Sequence, residues 1–403
     1  MTAPASMTAS ASMNASASMT ASASMTAPAA TEFAKGLAGI VAGQTAICSL
    51  SGTLRYRGYD IEPLARAGDF EEVAWLLLHG ELPTAAELAG FRQRVAAAAR
   101  AIPGPVLEAL ARLAATAPEA SPMDALRTGV SMLGLVEQDN SPGDRAALLA
   151  QAERLLGQTP ALLAAWLDLT VGRPVAPWPD APLGAALLER LTGRPPTAAE
   201  TSIFGTTLVL YAEHEFNAST FAARTVTSTG SDMHSAITAA IGALKGPLHG
   251  GANEKVLEVI GAIGTADRAR PWVEEQFAAK RVVMGFGHRV YKDGDVRAKL
   301  LGEMCRELVR GTAGEPIETL AAEVEGIMLE RKQLKPNLDW PAARVYHALG
   351  LPVKVFTPIF VVARMSGWTA HVIEQVGDNR LIRPLSLYVG PAPREYSPLA
   401  ARD

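Results

Sequence analysis

Cysteine is nearly absent from this chain. Cys48 and Cys305 are the only two, and they lie far apart in the sequence. They offer no disulfide framework and no cysteine cluster for a metal, and they fit a reducing compartment, the cytoplasm. An excess of positive charge is also missing: 37 basic side chains face 41 acidic ones, for a net charge of −4. Nucleic acid as a partner therefore gains no support from charge. No apolar run reaches membrane-spanning length. The best, "SIFGTTLVLYA" and "TPIFVVARM", are short, and Arg364 cuts the second. Charge of either sign is missing from residues 1–30, where Met1, Met7, Met13, Met19 and Met25 mark a six-residue repeat of Ala, Ser and Thr. Without a basic start, an apolar block or arginines, this is neither a secretory signal nor a transit peptide. Such residues cannot bury enough surface to offset their ordering entropy. We expect a disordered tail, or a translated repeat ahead of a later start.

What remains is long and rich enough for a sizeable core. The chain has 403 residues and is 48% hydrophobic, which suits a large globular protein of two domains. The folded part is expected from residue 31. "GIVAGQTAICSLSGTLRYRGYDI" alternates and carries turn glycines, predicting a small β hairpin. Beyond it the pattern turns helical. Asp69 with Glu72, Thr84 with Glu87, and Thr197 with Glu200 have the spacing of helix starts, and Pro83 is expected to stop the first of these helices. "TAAETSIFGTTLVLYAEHEF" is apolar nearly all round and predicts a buried helix, as does "SGWTAHVIEQ". Strands alternating with helices are missing, which argues against a doubly wound sheet. The expected fold is mainly α, with a short β piece near the start.

Three of the seven histidines stand in specific company: His214 in "YAEHEFNAST", His249 in "GPLHGGANE" and His288 in "MGFGHRVYKDGDVR". A zinc protease helix fails at once, because position 218 is Ala where a second ligand is needed. A dinucleotide fingerprint fails too, since "GFGHRV" lacks the third glycine and follows no βα unit. No metal site is expected. In "GPLHGGANE", Pro247 fixes the chain before His249, and Gly250 and Gly251 allow another group to come close. Arg297, Arg364 and Arg383 accompany the histidines, Arg364 inside an apolar helix. A guanidinium there is costly unless paired. Internal salt bridges would explain the three arginines; so would a pocket for a small polycarboxylate, which guanidinium grips with two parallel hydrogen bonds. Asp339 precedes Trp340 and Pro341 at a helix start, where the plain role is an N-cap.

Taken together, "LRYRGYDIEPLA", "FEEVAWLLLHGELPT", "EHEFNASTF", "GPLHGGANE", "MGFGHRVYK", "PNLDW" and "IRP" occur in an order that resembles the citrate synthase family over about residues 33–395. The resemblance implies a helical homodimer with active sites shared between subunits. It implies a large domain of residues 31–248 and 343–403, and a small domain, 249–342, closing over the cleft. It also implies a reaction, the joining of an acyl-CoA to oxaloacetate followed by thioester hydrolysis, with no cofactor beyond the acyl-CoA substrate. By the same resemblance Asp339 is the base, His249 the donor to the thioester oxygen, and His288 the group that polarises the ketone of oxaloacetate. His214, Arg297, Arg364 and Arg383 bind oxaloacetate, Arg383 from the other subunit. Met284, Gly285, Phe286 and Gly287 are expected along the CoA, with Arg281 and Lys292 as phosphate partners; ordinary solvated charge explains those two equally well.

"YAEHEFNASTF", "TGSDMHSAITAAIGALKGPLHGGANE" and "IRPLSLYVG" look closer to 2-methylcitrate synthases than to dedicated citrate synthases. Leu385 and Ser386 stand where many citrate synthases carry a further Arg. The expectation is therefore propionyl-CoA as the preferred substrate, with acetyl-CoA also used. A dedicated citrate synthase is the first alternative. A Claisen-type lyase would share "GFGHR", but the intact "PLHGGANE" and "PNLDW" favour a stand-alone synthase. A non-catalytic metabolite-binding relative is the alternative from another class.

Overall fold

The computed structural model describes residues 34–37, 39–138, 143–288, 291 and 294–402. The tail expected over residues 1–30 lies outside them, as does Lys292. Among the described residues there are sixteen α-helices and one small sheet, the mainly helical architecture that the sequence pattern predicts. None of these helices is long and apolar enough to cross a membrane.

Contacts divide the chain into two compact units: Thr45–Arg383, and the terminal segments up to Gln44 and from Pro384 onward. Among the described residues of the terminal unit, short 3-10 turns form at Lys35–Leu37 and Leu399–Ala401. Its Leu385, Leu387, Tyr388, Val389 and Tyr396 are largely exposed.

The larger unit opens on the sheet, where the expected hairpin is present and a third short strand extends it. Three antiparallel strands of two residues each, Cys48–Ser49, Arg55–Tyr56 and Tyr59–Asp60, pair in sequence order. Cys48 lies opposite Tyr56, and Tyr56 opposite Tyr59. The strands are so short because glycines with positive φ, Gly52 and Gly58, turn the chain within a few residues. The sheet serves as an anchor. Tyr56, fully buried, donates its hydroxyl to Glu213 O (2.9 Å) and accepts from Glu213 N (3.2 Å), pinning the turn that carries His214.

Helix starts follow the predicted chemistry. Thr84 and Thr197 form full capping boxes with Glu87 and Glu200, opening Ala85–Arg100 and Ala198–Tyr211. Asp69 caps Phe70–His79 through Glu72 N. That helix stops at Gly80, in the left-handed conformation, before Pro83 is reached.

At the centre runs Phe356–Gly377, buried along nearly its whole length. It packs on Phe70–His79, Arg145–Thr170, Ala198–Tyr211, Ala218–Ser228 and Met233–Leu244. A helix surrounded on all sides needs apolar residues all round, which explains the lack of a polar face in "FTPIFVVARMSGW". Close packing elsewhere relies on small residues. At Gly157 the helix Arg145–Thr170 meets Ala85–Arg100 so tightly that a Cβ would overlap Val95 O and come within 2.9 Å of Ala99 N.

That contact makes a prediction with a definite sign. Helix propensity alone favours Ala over Gly by about 1 kcal/mol. Overpacking costs about 1–3 kcal/mol. Gly157→Ala should therefore lower the denaturant midpoint, and equilibrium unfolding in urea reads the sign directly.

Candidate active site

Two loops that are distant in sequence are joined by two backbone hydrogen bonds and one from a side chain. Gly287 N donates to Lys335 O (2.9 Å), Asn337 N to Gly285 O (2.9 Å), and Asn337 Nδ2 to Gly287 O (3.0 Å). The turn before His288 is thus bound to the turn before Asp339. Trp340, fully buried, locks the junction: it packs on Phe286 at 4.7 Å, and its Nε1–H donates to Glu325 Oε1 (2.8 Å). Gly285 has φ +91°, and a Cβ there would lie 2.8 Å from the Trp340 ring. This position therefore needs glycine for both its backbone and its packing.

Around this junction lies a cleft of about 500 Å³ within the larger unit. Seven predicted residues line it: His214, His249, Gly287, His288, Arg297, Asp339 and Arg364. They come from the end of Ala198–Tyr211, the loop after Met233–Leu244, the two joined turns, the start of Val296–Val309, and the central helix.

Asp339 is the first residue of its helix, but its carboxylate is not the cap. Its Oδ1 accepts the hydroxyl of Tyr211 at 2.7 Å instead. Loss of water in the cleft raises its pKa to about 6, against the opposing pull of the Tyr211 hydrogen bond and of Arg297. The carboxyl is thus poised to exchange a proton near neutral pH.

His249 is held through Nε2. Ser219 donates its backbone N–H to that nitrogen (3.3 Å), and its hydroxyl lies 2.8 Å away. Trp368 Nε1–H supports the hydroxyl from behind at 3.2 Å. With Nε2 accepting, the ring proton resides on Nδ1. Desolvation, helped by Arg364, lowers the pKa to about 4, so the ring is a neutral donor at physiological pH. The flanking glycine has a steric reason: a Cβ at Gly250 would overlap Leu244 O.

His214 Nε2 lies 3.0 Å from the Tyr291 hydroxyl, and its ring meets that of His288 at 5.2 Å. Burial drives the pKa of His214 well down, with Arg297 and Arg364 adding to the effect. His288 is lowered by desolvation and by Arg297; its Nδ1 accepts from Tyr291 N (3.2 Å). Burial, seconded by the positive charge of nearby arginines, thus favours the neutral form of both imidazoles.

The arginines differ. Arg297 is 5% exposed and forms a two-bond pair with Asp295, at 2.9 and 2.8 Å. Burial pulls its pKa down, but the charge and hydrogen bonds of Asp295 win and raise it. Arg364 is 1% exposed, donates Nε–H to Tyr211 O (2.7 Å), and lies over the Phe360 ring at 4.8 Å. Its NH1 is buried without a partner. An open, buried guanidinium nitrogen is suited to receive a carboxylate.

Other predicted residues lie elsewhere. Arg383 is exposed and outside the cleft lining. Arg281 is exposed and paired with Glu275 at 3.4 Å. Met284, Gly285 and Phe286 pack on the core or on Trp340, away from the cleft lining. Among the described residues, no group of three His, Cys, Asp or Glu side chains could hold a metal ion. Sequence reasoning missed Tyr211, Ser219, Asp295, Tyr291, Phe360 and Trp368. Asp295 had a signal, an Asp two positions before a buried arginine at a helix start. Tyr211 had none, since an aromatic residue in an apolar helix reads as core.

The profile of the family described as "Citrate synthase, C-terminal domain" matches residues 36–385. A 2-methylcitrate synthase of Shewanella oneidensis is 43% identical over 372 residues, covering 91% of this chain and 97% of that protein. A protein of Bacillus subtilis named citrate synthase 2 is 42% identical, covering 91% and 99%. Among solved structures, citrate synthase of Thermoplasma acidophilum, in a ternary complex with carboxymethyl coenzyme A and oxaloacetate, superposes with a TM-score of 0.85. It shares 32% identity, over 92% of this chain and all of that one. With these matches spanning nearly all of the described fold and every motif in the cleft, the chain belongs to the citrate synthase family.

Proposed function

We propose that this protein condenses a short acyl-CoA with oxaloacetate and hydrolyses the resulting thioester, releasing CoA and 2-methylcitrate or citrate. The observation that carries the reading is the convergence, in one cleft, of a carboxylate base, two further proton-handling groups and two buried guanidinium groups.

The carbon next to a thioester is a very weak acid, so deprotonation needs help at both ends. Asp339 takes the proton. The Nδ1–H of His249 donates to the thioester oxygen, where negative charge develops; a neutral donor does this without first attracting the substrate carboxylates. Arg297 and Arg364 hold those carboxylates, and His214 orients the oxaloacetate. His288 polarises the ketone and donates its proton to the alkoxide as the new carbon–carbon bond forms. Water then cleaves the thioester. We assign residues 249–342 to a small domain that carries Asp339, His249, His288 and Arg297, and closes on His214 and Arg364 of a large domain formed by 31–248 and 343–403. Acyl-CoA is a substrate, and no further cofactor enters this reading.

The working form is a homodimer in the cytoplasm. Supporting it is the apolar, largely exposed segment around Leu385, Leu387, Tyr388 and Val389, which a second copy would cover. Arg383, directly before this segment, completes the cleft of that second copy. Along the CoA we keep Met284, Gly285, Phe286 and Gly287, with Arg281 and Lys292 as phosphate partners. Propionyl-CoA is the preferred thioester and acetyl-CoA the second. They differ by one methylene, worth about 1–3 kcal/mol in an apolar pocket, so use of both is expected.

Release of CoA thiol from propionyl-CoA and acetyl-CoA, with and without oxaloacetate, tests the function. Release must depend on oxaloacetate. A kcat/KM for acetyl-CoA tenfold above that for propionyl-CoA would make the protein a citrate synthase in the narrow sense.

Asp339→Asn retains an oxygen that can accept from Tyr211. It should keep its melting temperature while turnover falls about 10²–10⁴-fold. For the native enzyme, kcat/KM should fall as pH drops through about 6, where Asp339 of the free enzyme takes up its proton. Tyr211→Phe removes a hydrogen bond that favours the carboxylate, so this acid limb should move to higher pH. A pH–rate profile of both proteins checks the direction.

Sharing of sites has its own test. Arg383→Ala and Asp339→Asn proteins, each impaired alone, should regain activity when unfolded and refolded together, because a mixed dimer restores one intact cleft. Heterodimers without activity would contradict it.

A further inference from the structure

Behind the cleft lies a charged network with no part in the steps above. Glu213 is fully buried, one residue before His214. Its Oε1 accepts from His371 Nε2 at 3.0 Å. His371 Nδ1 takes an N–H from Arg224 (2.9 Å), so this imidazole is neutral and passes no charge along. The charge of Arg224 is met by Glu374 Oε2 at 2.6 Å, and Glu374 Oε1 accepts from Ala46 N at 2.8 Å. One carboxylate in the network, Glu213, is therefore left without a salt-bridge partner, and its Oε2 makes no hydrogen bond.

The matching cation is Arg364. Its Nε–H reaches the carbonyl of Tyr211, two residues before Glu213. One turn along the same helix, a Cβ at Gly367 would overlap Glu213 Oε2. The bare face of that helix thus brings the carboxylate and the guanidinium to the same turn without contact. Burial pulls the pKa of Arg364 down, and Glu213 is the leading charge that opposes this pull. An unpaired guanidinium is expensive in the interior, and a carboxylate nearby offsets that cost across a low-dielectric gap.

We propose that Glu213 is a positioning residue that sets how tightly Arg364 holds the oxaloacetate carboxylate: it balances the open guanidinium in the empty cleft and opposes the dianion when it enters. The inference rests on Arg364 being a carboxylate clamp. It predicts an effect opposite to that of ordinary structural damage. Removing the charge destabilises the empty protein yet tightens oxaloacetate binding, because the ligand becomes the sole counter-charge.

The experiment is calorimetric titration of the full-length enzyme with oxaloacetate, together with thermal melting with and without it. Glu213→Gln keeps the acceptor for His371 and removes the charge. Its melting temperature alone should fall, its Kd for oxaloacetate should drop about fivefold or more, and oxaloacetate should raise its melting temperature by more than it raises that of the native enzyme. Glu213→Asp keeps the charge on a shorter arm; it should lower the melting temperature with Kd near the native value. If Glu213→Gln does not fold, Glu213→Ala carries the same expectation for Kd. An unchanged or weaker Kd in the neutral variant overturns the proposal. Arg364→Gln separates the two levels. Native-like oxaloacetate binding there refutes the clamp itself, whereas lost binding there with no tightening in Glu213→Gln refutes only the role of Glu213.

Discussion

An arginine held in the core with one nitrogen left open is the constraint around which this cleft is arranged. Arg364 sits at 1% exposure in a helix with almost no polar surface. It is tolerated because its Nε–H finds the Tyr211 carbonyl and its face finds Phe360. The same Tyr211 gives its hydroxyl to Asp339. One residue thus touches both Arg364 and Asp339, through its backbone and its side chain. His214, His249 and His288 share lowered pKa values, chiefly because burial strips water from each, with the positive field of Arg364 or Arg297 adding to the effect. Buried imidazoles beside guanidinium groups favour the uncharged form, which can donate a hydrogen bond to a developing oxyanion without competing with the arginines for an anion.

Much of this was legible before any coordinates, and the unread parts have physical reasons. Helix starts at Thr84 and Thr197 were readable because the capping box is a local reciprocal interaction. The end at Gly80 was hidden by the more conspicuous Pro83; a left-handed glycine ended the helix first. The sheet was legible as β, but its two-residue strands are shorter than any period-2 pattern can register. In the cleft, histidines and arginines stood out because they are rare in apolar surroundings. Tyr211, Trp368 and Phe360 did not, because aromatic residues in a buried helix look like packing. Ser219 was hidden for another reason: its contribution begins with a backbone N–H, which any residue supplies. Asp339 has the sequence position of a cap, yet its carboxylate accepts from Tyr211 and lines the cleft, a contact that local sequence does not show.

Several cleft side chains are positioned by partners that stand behind them. Asp295 takes two bonds of Arg297 while capping the helix that bears it. Ser219 fixes a tautomer, and Trp368 fixes Ser219. Each acts at hydrogen-bond range and is buried, where such bonds are stronger and a lost partner is costly. The turn glycines assigned to CoA from the sequence have a packing reason of their own, most clearly Gly285 against Trp340.

The lacing of residues 285–287 to 335–337 reaches beyond catalysis. Three hydrogen bonds and the Phe286–Trp340 contact make these stretches a single unit, although about fifty residues separate them along the chain. In exchange between relatives they behave as one cassette. A graft of either stretch alone inherits a foreign edge to pair with and a foreign ring to fit. Recombination breakpoints placed between them therefore divide one mechanical part, whereas breakpoints outside the pair transfer His288 and Asp339 together in register.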